Sequence, residues 1–494
     1  MDQMTSLELN SITIGICTTF ILAVTALVAI RPVPFPSTAP PRTYGLPLIG
    51  PYGIITKDSW EVFKRGMAAS KTGNFSFNLV NNRAIGLSSN SNMSRETFYT
   101  HPMLGFRAGY GWLFGAPPSR SSAEERPGEE HWNKRLKAFL KNEWLAKGLD
   151  SMIHDTSTRL DQFGSSGTTN PFYSMHSLVF QVTIRSFCCG EIAEDPDLRE
   201  EFFASLEAID ECLTPVAVLF PSLPSPAKIR KLWNGFKIFR IIQSIANKRE
   251  KTGWREDDAL QAIVIVETIA GMVHAGLINT GANISSLLLH LGTHPEWMSK
   301  ARAEVAHLAA KYAKDVQAPL AEQLLSVPLA AWESELPVLE LCSRETLRLH
   351  AQGTTLRRNI ASEDIKIGNE VIPSGALVFM HSTPIMMNPG VYMNPEIWDP
   401  SRYQPDRVED KNGSHVFLGW GSGRHPCRGM RFAKLEQNII VAMFLAKFKY
   451  DVLDTATGNK VDQPPESVPR DFHVYKPDKW SLGYKAWVGD GQKS

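Results

Sequence analysis

Cysteine is scarce in this chain, and the little there is follows no bonding pattern. Six cysteines occur among 494 residues, at positions 17, 188, 189, 212, 342 and 427. None has the spacing of a zinc site, and Cys188 and Cys189 are adjacent, so no disulfide framework is written here either. Net charge is equally scarce, with 52 Lys and Arg against 51 Asp and Glu, a balance of +1. That removes the basic excess on which nucleic-acid binding depends, and no nucleic-acid partner is expected. No Gly/Ser tract, charge block or repeat divides residues 51–494. They read as one large fold rather than the three domains that length alone would give. Apolar residues make up 43% and charged residues 21%, the balance of a globular chain and not of a disordered one.

Long uncharged runs are also rare, and the one that stands out lies at the amino terminus. Ser11 to Ile30 holds twenty residues without a charge, enough to cross a bilayer as a helix. Asp2 and Glu8 precede it and Arg31 follows, so the charge bias puts the carboxyl side in the cytoplasm. A positive n-region and a small-residue exit, the marks of a cleaved signal, are missing. Pro32, Pro34, Pro36, Pro40 and Pro41 then make a stiff spacer. The expected layout is a lumenal 1–10, a transmembrane anchor at 11–30, a proline-rich linker at 31–50 and a catalytic domain at 51–494. The glycosylation patterns at Asn74, Asn92 and Asn412 would then face the cytosol and stay unmodified.

What is present concentrates near the carboxyl end. Trp420-Gly-Ser-Gly-Arg-His-Pro-Cys427-Arg-Gly429 puts one cysteine in a glycine-rich loop, directly before a segment from Met430 that reads as a helix. Glycines at 421, 423 and 429 let backbone pass close to a flat cofactor. The helix N-terminus is expected to lower the thiol pKa and hold a thiolate, which suits an axial iron ligand that favours O–O cleavage. The loop resembles the haem-binding signature of the cytochrome P450 family. By that resemblance Cys427 is the iron ligand, with Trp420 where the family has Phe and His425 where it has Arg. His425 or Arg424 would meet a haem propionate.

A second motif agrees. Glu345 and Arg348 stand at i, i+3 on a predicted helix, and Arg402 follows in Trp398-Asp-Pro-Ser-Arg402. In the family such residues form a Glu–Arg–Arg cluster that locks the segment leading to the haem cysteine. Arg357 and Arg358 lie where the family places a propionate-binding Arg, and either one fits. Asp364 to Met380 alternates like short antiparallel strands. The resemblance therefore implies a mainly α fold with a small β-region, preceded by one transmembrane helix, and a haem b cofactor. It also implies an endoplasmic-reticulum location and a eukaryotic, fungal-type source.

The oxygen-activating helix departs from the family. Asp258 to His290 reads as one long apolar helix, with His294-Pro295-Glu296 after it. Ala275, Gly276, Leu277, Ile278, Asn279 and Thr280 then align with a segment whose acid–alcohol pair delivers protons through ordered water. Ile278 replaces the acid and Asn279 the alcohol, so Asn279 or Thr280 must order that water. An amide both donates and accepts, and monooxygenation stays open. Asn also stands here in sterol 7α-hydroxylases and in prostacyclin synthase, so a redox-neutral isomerisation or dehydration is the alternative. A non-catalytic haem or lipid-binding protein is the third reading.

Partners follow from the same resemblance. Trp132 and Arg135 lie where the family has a propionate-binding Trp-x-x-x-Arg, one residue out of register. Lys134, Lys137, Lys141, Arg428, Arg431 and Lys434 would form a basic face that steers an acidic flavoprotein. The donor implied is an NADPH–cytochrome P450 reductase, with cytochrome b5 as a second candidate. Apolar, aromatic and proline-broken loops at 103–118 and 213–224 would shape an apolar pocket. The substrate expected is lipophilic, a terpenoid, steroid or polyketide of secondary metabolism.

Overall fold

The computed structural model describes residues 31–56, 58–114, 136–256, 258–262, 266–463 and 477–487. The proposed span at 11–30 lies outside them, and among the described residues no helix is long and apolar enough to cross a membrane. In chain order the principal elements are α1 (Ser59–Ala68), β1 (Phe75–Leu79), β2 (Asn82–Leu87), α2 (Asn92–Thr100), β3 (Leu104–Gly105) and α3 (Phe106–Leu113). They continue with α4 (Asn142–Asp161), β4 (Ser166–Thr169), α5 (Pro171–Phe187), α6 (Pro196–Glu211), α7 (Pro226–Thr252), α8 (Val266–Thr293) and α9 (Pro295–Tyr312). The rest are α10 (Pro337–His350), β5 (Thr354–Asn359), β6 (Ile365–Ile367), β7 (Glu370–Ile372), β8 (Leu377–His381), α11 (Met430–Lys447), β9 (Phe448–Asp454) and β10 (Trp480–Ala486). The residues group into two compact units.

The smaller unit joins the amino-terminal residues to Thr354–His381. Its sheet runs β1-β2-β8-β5-β3, and the stacked rings of Phe75 and Phe77 line one face. β8 pairs parallel with β2 and antiparallel with β5, so only the β6–β7 hairpin and the β5–β8 pair match the expected antiparallel region. The segment expected to be a loop after Met103 is partly helical. α3 packs so closely on β5 that a Cβ on Gly109 would lie 2.8 Å from the Arg357 backbone, which is why glycine stands there.

The larger unit is almost wholly helical and carries one three-stranded sheet, β4-β10-β9. Its helices start where the sequence supplies caps. Asn170 accepts from the Phe172 N–H ahead of Pro171, Asp195 accepts from Asp197 and Leu198, and Ser225 accepts from Lys228. α7 stops at Gly253, whose φ of +69° only glycine adopts freely. α5 and α8 pack against each other along the core of this unit. Leu178, Phe180 and Val182 on one and Leu277, Ile284 and Leu288 on the other are buried, each contributing about 1.5–3 kcal/mol. The contact is tight because Gly281 admits the His176 ring. The long helix expected from Asp258 is described in two parts, a short helix at Ala259–Ala262 and α8.

Where α8 leaves the core it meets a cluster of rings. His290 stacks on Trp398 with planes 3° apart, and its Nε2 lies 2.7 Å from Nε2 of His350. Burial, then the neighbouring His350 and His294, hold the His290 pKa well below its ordinary 6.5. The folded state thus takes up fewer protons than the unfolded chain below that pH, and stability falls as pH drops through 6.5. The expected slope for this one group is up to about 1.4 kcal/mol per pH unit. Urea midpoints compared at about pH 5 and about pH 7.5 should show a flatter dependence in His290→Phe; an unchanged slope would disprove the assignment.

Candidate functional site

The cysteine loop is built by turns. The Cys427 N–H donates to the Trp420 carbonyl at 2.7 Å, and the Gly421 N–H donates to Leu418 at 2.9 Å. Gly421 and Gly423 have φ of +72° and +63°. A Cβ on Gly421 would lie 2.7 Å from the His425 carbonyl, whereas one on Gly429 would meet open space. Arg424 is exposed, and Trp420 and His425 are half-buried. Among the described cysteines Cys427 alone is exposed. Gly429 is the N-cap of α11.

Behind the loop lies a fully buried ionic centre. Arg348 holds Glu345 through two bonds of 2.8 and 2.7 Å, and Arg402 Nε reaches the same carboxylate at 3.0 Å. Tyr403 Oη (2.8 Å) and the Asp399 N–H (3.1 Å) complete its shell. Burial works against the Arg348 charge, but the Glu345 bonds and field outweigh it and raise its pKa. Arg402 spreads outward to the carbonyls of Met393, Asn394 and Ile397 and to Glu409, while Arg348 reaches that of Met386 at 2.7 Å. Five donor bonds thus pin the irregular chain between 386 and 409. Glu409 and Tyr403 were not foreseen, because neither belongs to a spacing pattern.

On α8 the four aligned residues divide between two faces. Ala275 and Asn279 lie with Gly271 on an exposed stripe spaced by four, while Thr280 is buried. Gly276 faces Thr183 of α5, whose Cγ2 would be 3.1 Å from an added Cβ. Ile278 packs against the apolar core. Two links join α8 and α5 to the helix behind Cys427. Asn283 donates to Gln437 (2.6 Å) and Ser343 (3.1 Å), and Thr183 donates to Glu436 (2.8 Å). Burial pushes the Glu436 carboxyl well above its ordinary range.

The comparisons with known proteins fall on this arrangement. The cytochrome P450 family model matches residues 226–471. A cytochrome P450 monooxygenase of Aspergillus novofumigatus, nsrP, is 32% identical over 447 residues, covering 85% of each chain. The monooxygenase AacuE of Aspergillus aculeatus is 31% identical over 83% of this chain and 85% of its own. The chain belongs to the cytochrome P450 family. A retinoic-acid-bound cyanobacterial P450, CYP120A1, shares the fold, with a TM-score of 0.68 at 18% identity over 91% of this chain and 99% of that one.

As a P450 monooxygenase the chain carries thiolate-ligated haem iron, and its own residues fit that group. Arg357 is buried, its Nε has no hydrogen-bond partner, and among the described residues no carboxylate pairs with it. The rings of Phe98 and Phe106 lie 5.0 and 4.8 Å from its guanidinium, and desolvation lowers its pKa. A buried cation so placed calls for an anionic partner. Arg358 is half-exposed and donates to the Gly375 carbonyl at 3.1 Å. Two expectations change. Desolvation raises the Cys427 thiol pKa and the Gly429 N–H only partly offsets it, so the helix terminus alone does not make the thiolate; a coordinated cation would. Arg431 is bound by Glu333 and Asn142, and Lys434 by Glu340, so both are partly neutralised. Trp132, Arg135 and Lys134 lie outside the described residues.

Removing Glu345 should leave the buried Arg348 guanidinium uncompensated and Arg402 with Glu409 as its remaining carboxylate. Glu345→Ala is expected to lower unfolding free energy by about 3–5 kcal/mol, with Glu345→Gln less damaging because it keeps acceptors in place. Urea denaturation of the haem-loaded full chain reads this, and a loss below about 1 kcal/mol would show the cluster to be dispensable.

Proposed function

We propose that this chain holds haem b through Cys427 and hydroxylates or otherwise oxidises a lipophilic small molecule, a terpenoid, steroid or polyketide of fungal secondary metabolism. The observation that carries the reading is the exposed Cys427, set between two positive-φ glycines and the first turn of α11. Haem held there supplies oxygen activation. Arg357 would neutralise a haem carboxylate, with Arg424 and His425 of the loop as further donors. Ala275 offers a small side chain on the exposed stripe of α8, and Asn279 on the same stripe can hold a water by donating and accepting. Thr280 is buried, which favours Asn279 for that task.

Electrons would come from NADPH through a P450 reductase, with cytochrome b5 as a second donor. Lys137, Lys141 and Arg428 are exposed and carry the basic docking reading. The uncharged run at 11–30 supports a single-pass anchor in the endoplasmic reticulum, with 1–10 lumenal, 31–50 a spacer and 51–494 cytosolic.

The test is metabolite profiling under labelled dioxygen with full-length protein and reductase. The product is expected to gain one oxygen atom from O₂, and Cys427→Ala to abolish both the product and the thiolate-type ferrous–CO spectrum. A precursor and product of equal mass, or differing by water alone, would overturn monooxygenation and make Ile278–Asn279 the mark of a redox-neutral reaction. Separately, Arg357→Ala should weaken haem retention about tenfold or more, the worth of a charged hydrogen bond, and Arg358→Ala less than about twofold. Haem loss to apomyoglobin measures both, and equal effects would contradict the choice of Arg357.

A further inference from the structure

One strained residue stands ahead of the cysteine loop and is used by nothing above. His415 holds a φ of +57°, in the left-handed region that few side chains other than Asn, Asp and His enter. Such backbone persists only where its surroundings enforce it, and it clusters where a group must be aimed. The enforcement is visible just after it. Tyr392 Oη donates to the Val416 carbonyl at 3.0 Å, and the Leu418 N–H donates to Met386 Sδ at 3.2 Å. Both anchors are tied to the buried ionic centre. The Arg348 guanidinium lies 4.9 Å from the Tyr392 ring and also donates to the Met386 carbonyl.

The turned backbone brings the imidazole to the loop itself. His415 Nδ1 and Ser422 Oγ share a hydrogen bond of 2.6 Å, and both residues are half-buried. Ser422 sits between Gly421 and Gly423, whose φ values are +72° and +63°. Its carbonyl accepts from the His425 N–H at 3.4 Å, which closes the turn two residues before Cys427. Glycines make this turn possible but do not fix it, because their backbone has more conformations open to it than any other. A side-chain bond at Ser422 supplies the restraint they lack.

We propose that His415 is a positioning residue for the cysteine loop, carrying the order of the Glu345–Arg348 centre across to Ser422 and so fixing how Cys427 is presented. The assignment deepens the haem ligation by Cys427 proposed above and takes its functional meaning from it. Partners of this outer kind set how firmly a ligand is held although they never touch the metal. Three replacements separate backbone from bond. His415→Gly keeps the positive φ and loses the bond. His415→Asn tolerates that φ, and its amide places a donor or acceptor where Nδ1 stands. Ser422→Ala removes the bond from the other side.

Hydrogen–deuterium exchange on the haem-loaded full chain tests this. It is read on peptides spanning 418–429, where the Gly421 and Cys427 N–H groups are bonded, with α9 as the reference. His415→Gly and Ser422→Ala are expected to speed exchange in the loop about tenfold and leave α9 within about twofold of wild type. His415→Asn should keep loop exchange within about threefold of wild type. In the first two variants haem should pass to apomyoglobin about tenfold faster, and the ferrous–CO spectrum should show a larger non-thiolate fraction. Unchanged loop exchange in Ser422→Ala overturns the proposal, and so does a His415→Asn variant that exchanges like His415→Gly. Equal acceleration in α9 also overturns it, because the bond would then serve general stability. A wild-type chain with no thiolate spectrum but the expected exchange pattern would instead count against haem ligation by Cys427 and leave the positioning of the loop standing.

Discussion

The carboxylate of Glu345 is the point on which the larger unit turns. It is completely buried, it accepts from two arginines that are also buried, and those arginines in turn bind carbonyls of a stretch with little regular structure. A segment without secondary structure must satisfy its backbone in some other way, and here guanidinium groups do what a sheet ladder would do elsewhere. The arrangement is stable only as a whole. Glu409 supplies a second negative charge to Arg402 and also binds Arg407, so the buried charges nearly balance. The same chain then runs on through Phe417 and Gly419 to the cysteine loop, with Arg344 lying over the rings of Tyr403 and Phe417.

A second, polar seam connects the cysteine to the helix that bears Asn279. α11 starts three residues after Cys427 and carries Glu436 and Gln437, where bonds to Thr183 and Asn283 cross to α5 and α8. Each partner is small or uncharged, which lets the helices approach closely around Gly276 and Gly281. Rigid spacing between the cysteine loop and α8 is what the proposed oxidation site would need. The seam provides it without placing a net charge in the core, since the Glu436 carboxyl is driven toward its neutral form.

Much of this was legible in the sequence, for identifiable reasons. The cysteine loop declares itself through Gly421 and Gly423 at positive φ, and the ionic centre through Glu345 and Arg348 one helical turn apart. What was not legible depended on contacts far apart in the chain. Nothing local separates Arg357 from Arg358; burial against Phe98 and Phe106 does. Nothing local tells that Arg431 and Lys434 meet Glu333 and Glu340, so a run of cations looked freer than it is. The thiol expectation failed because a helix terminus was weighed without desolvation, which here is the larger effect.

The outer side of α7 has a consequence for anyone handling the protein. Ile229, Leu232, Trp233, Phe236 and Phe239 are all exposed, on the side away from the buried Ile238, Ile241, Ile242 and Ile245. From Pro226 to Lys248 there are six Lys or Arg and no acidic residue. Greasy surface of this extent attracts detergent, lipid or another copy of itself, while the cations around it attract polyanions. Trimming the uncharged amino-terminal run would therefore not by itself give a well-behaved aqueous sample. Stickiness is a property of the helical body, and polar replacements at Trp233 and Phe236 are the rational route to a monodisperse preparation.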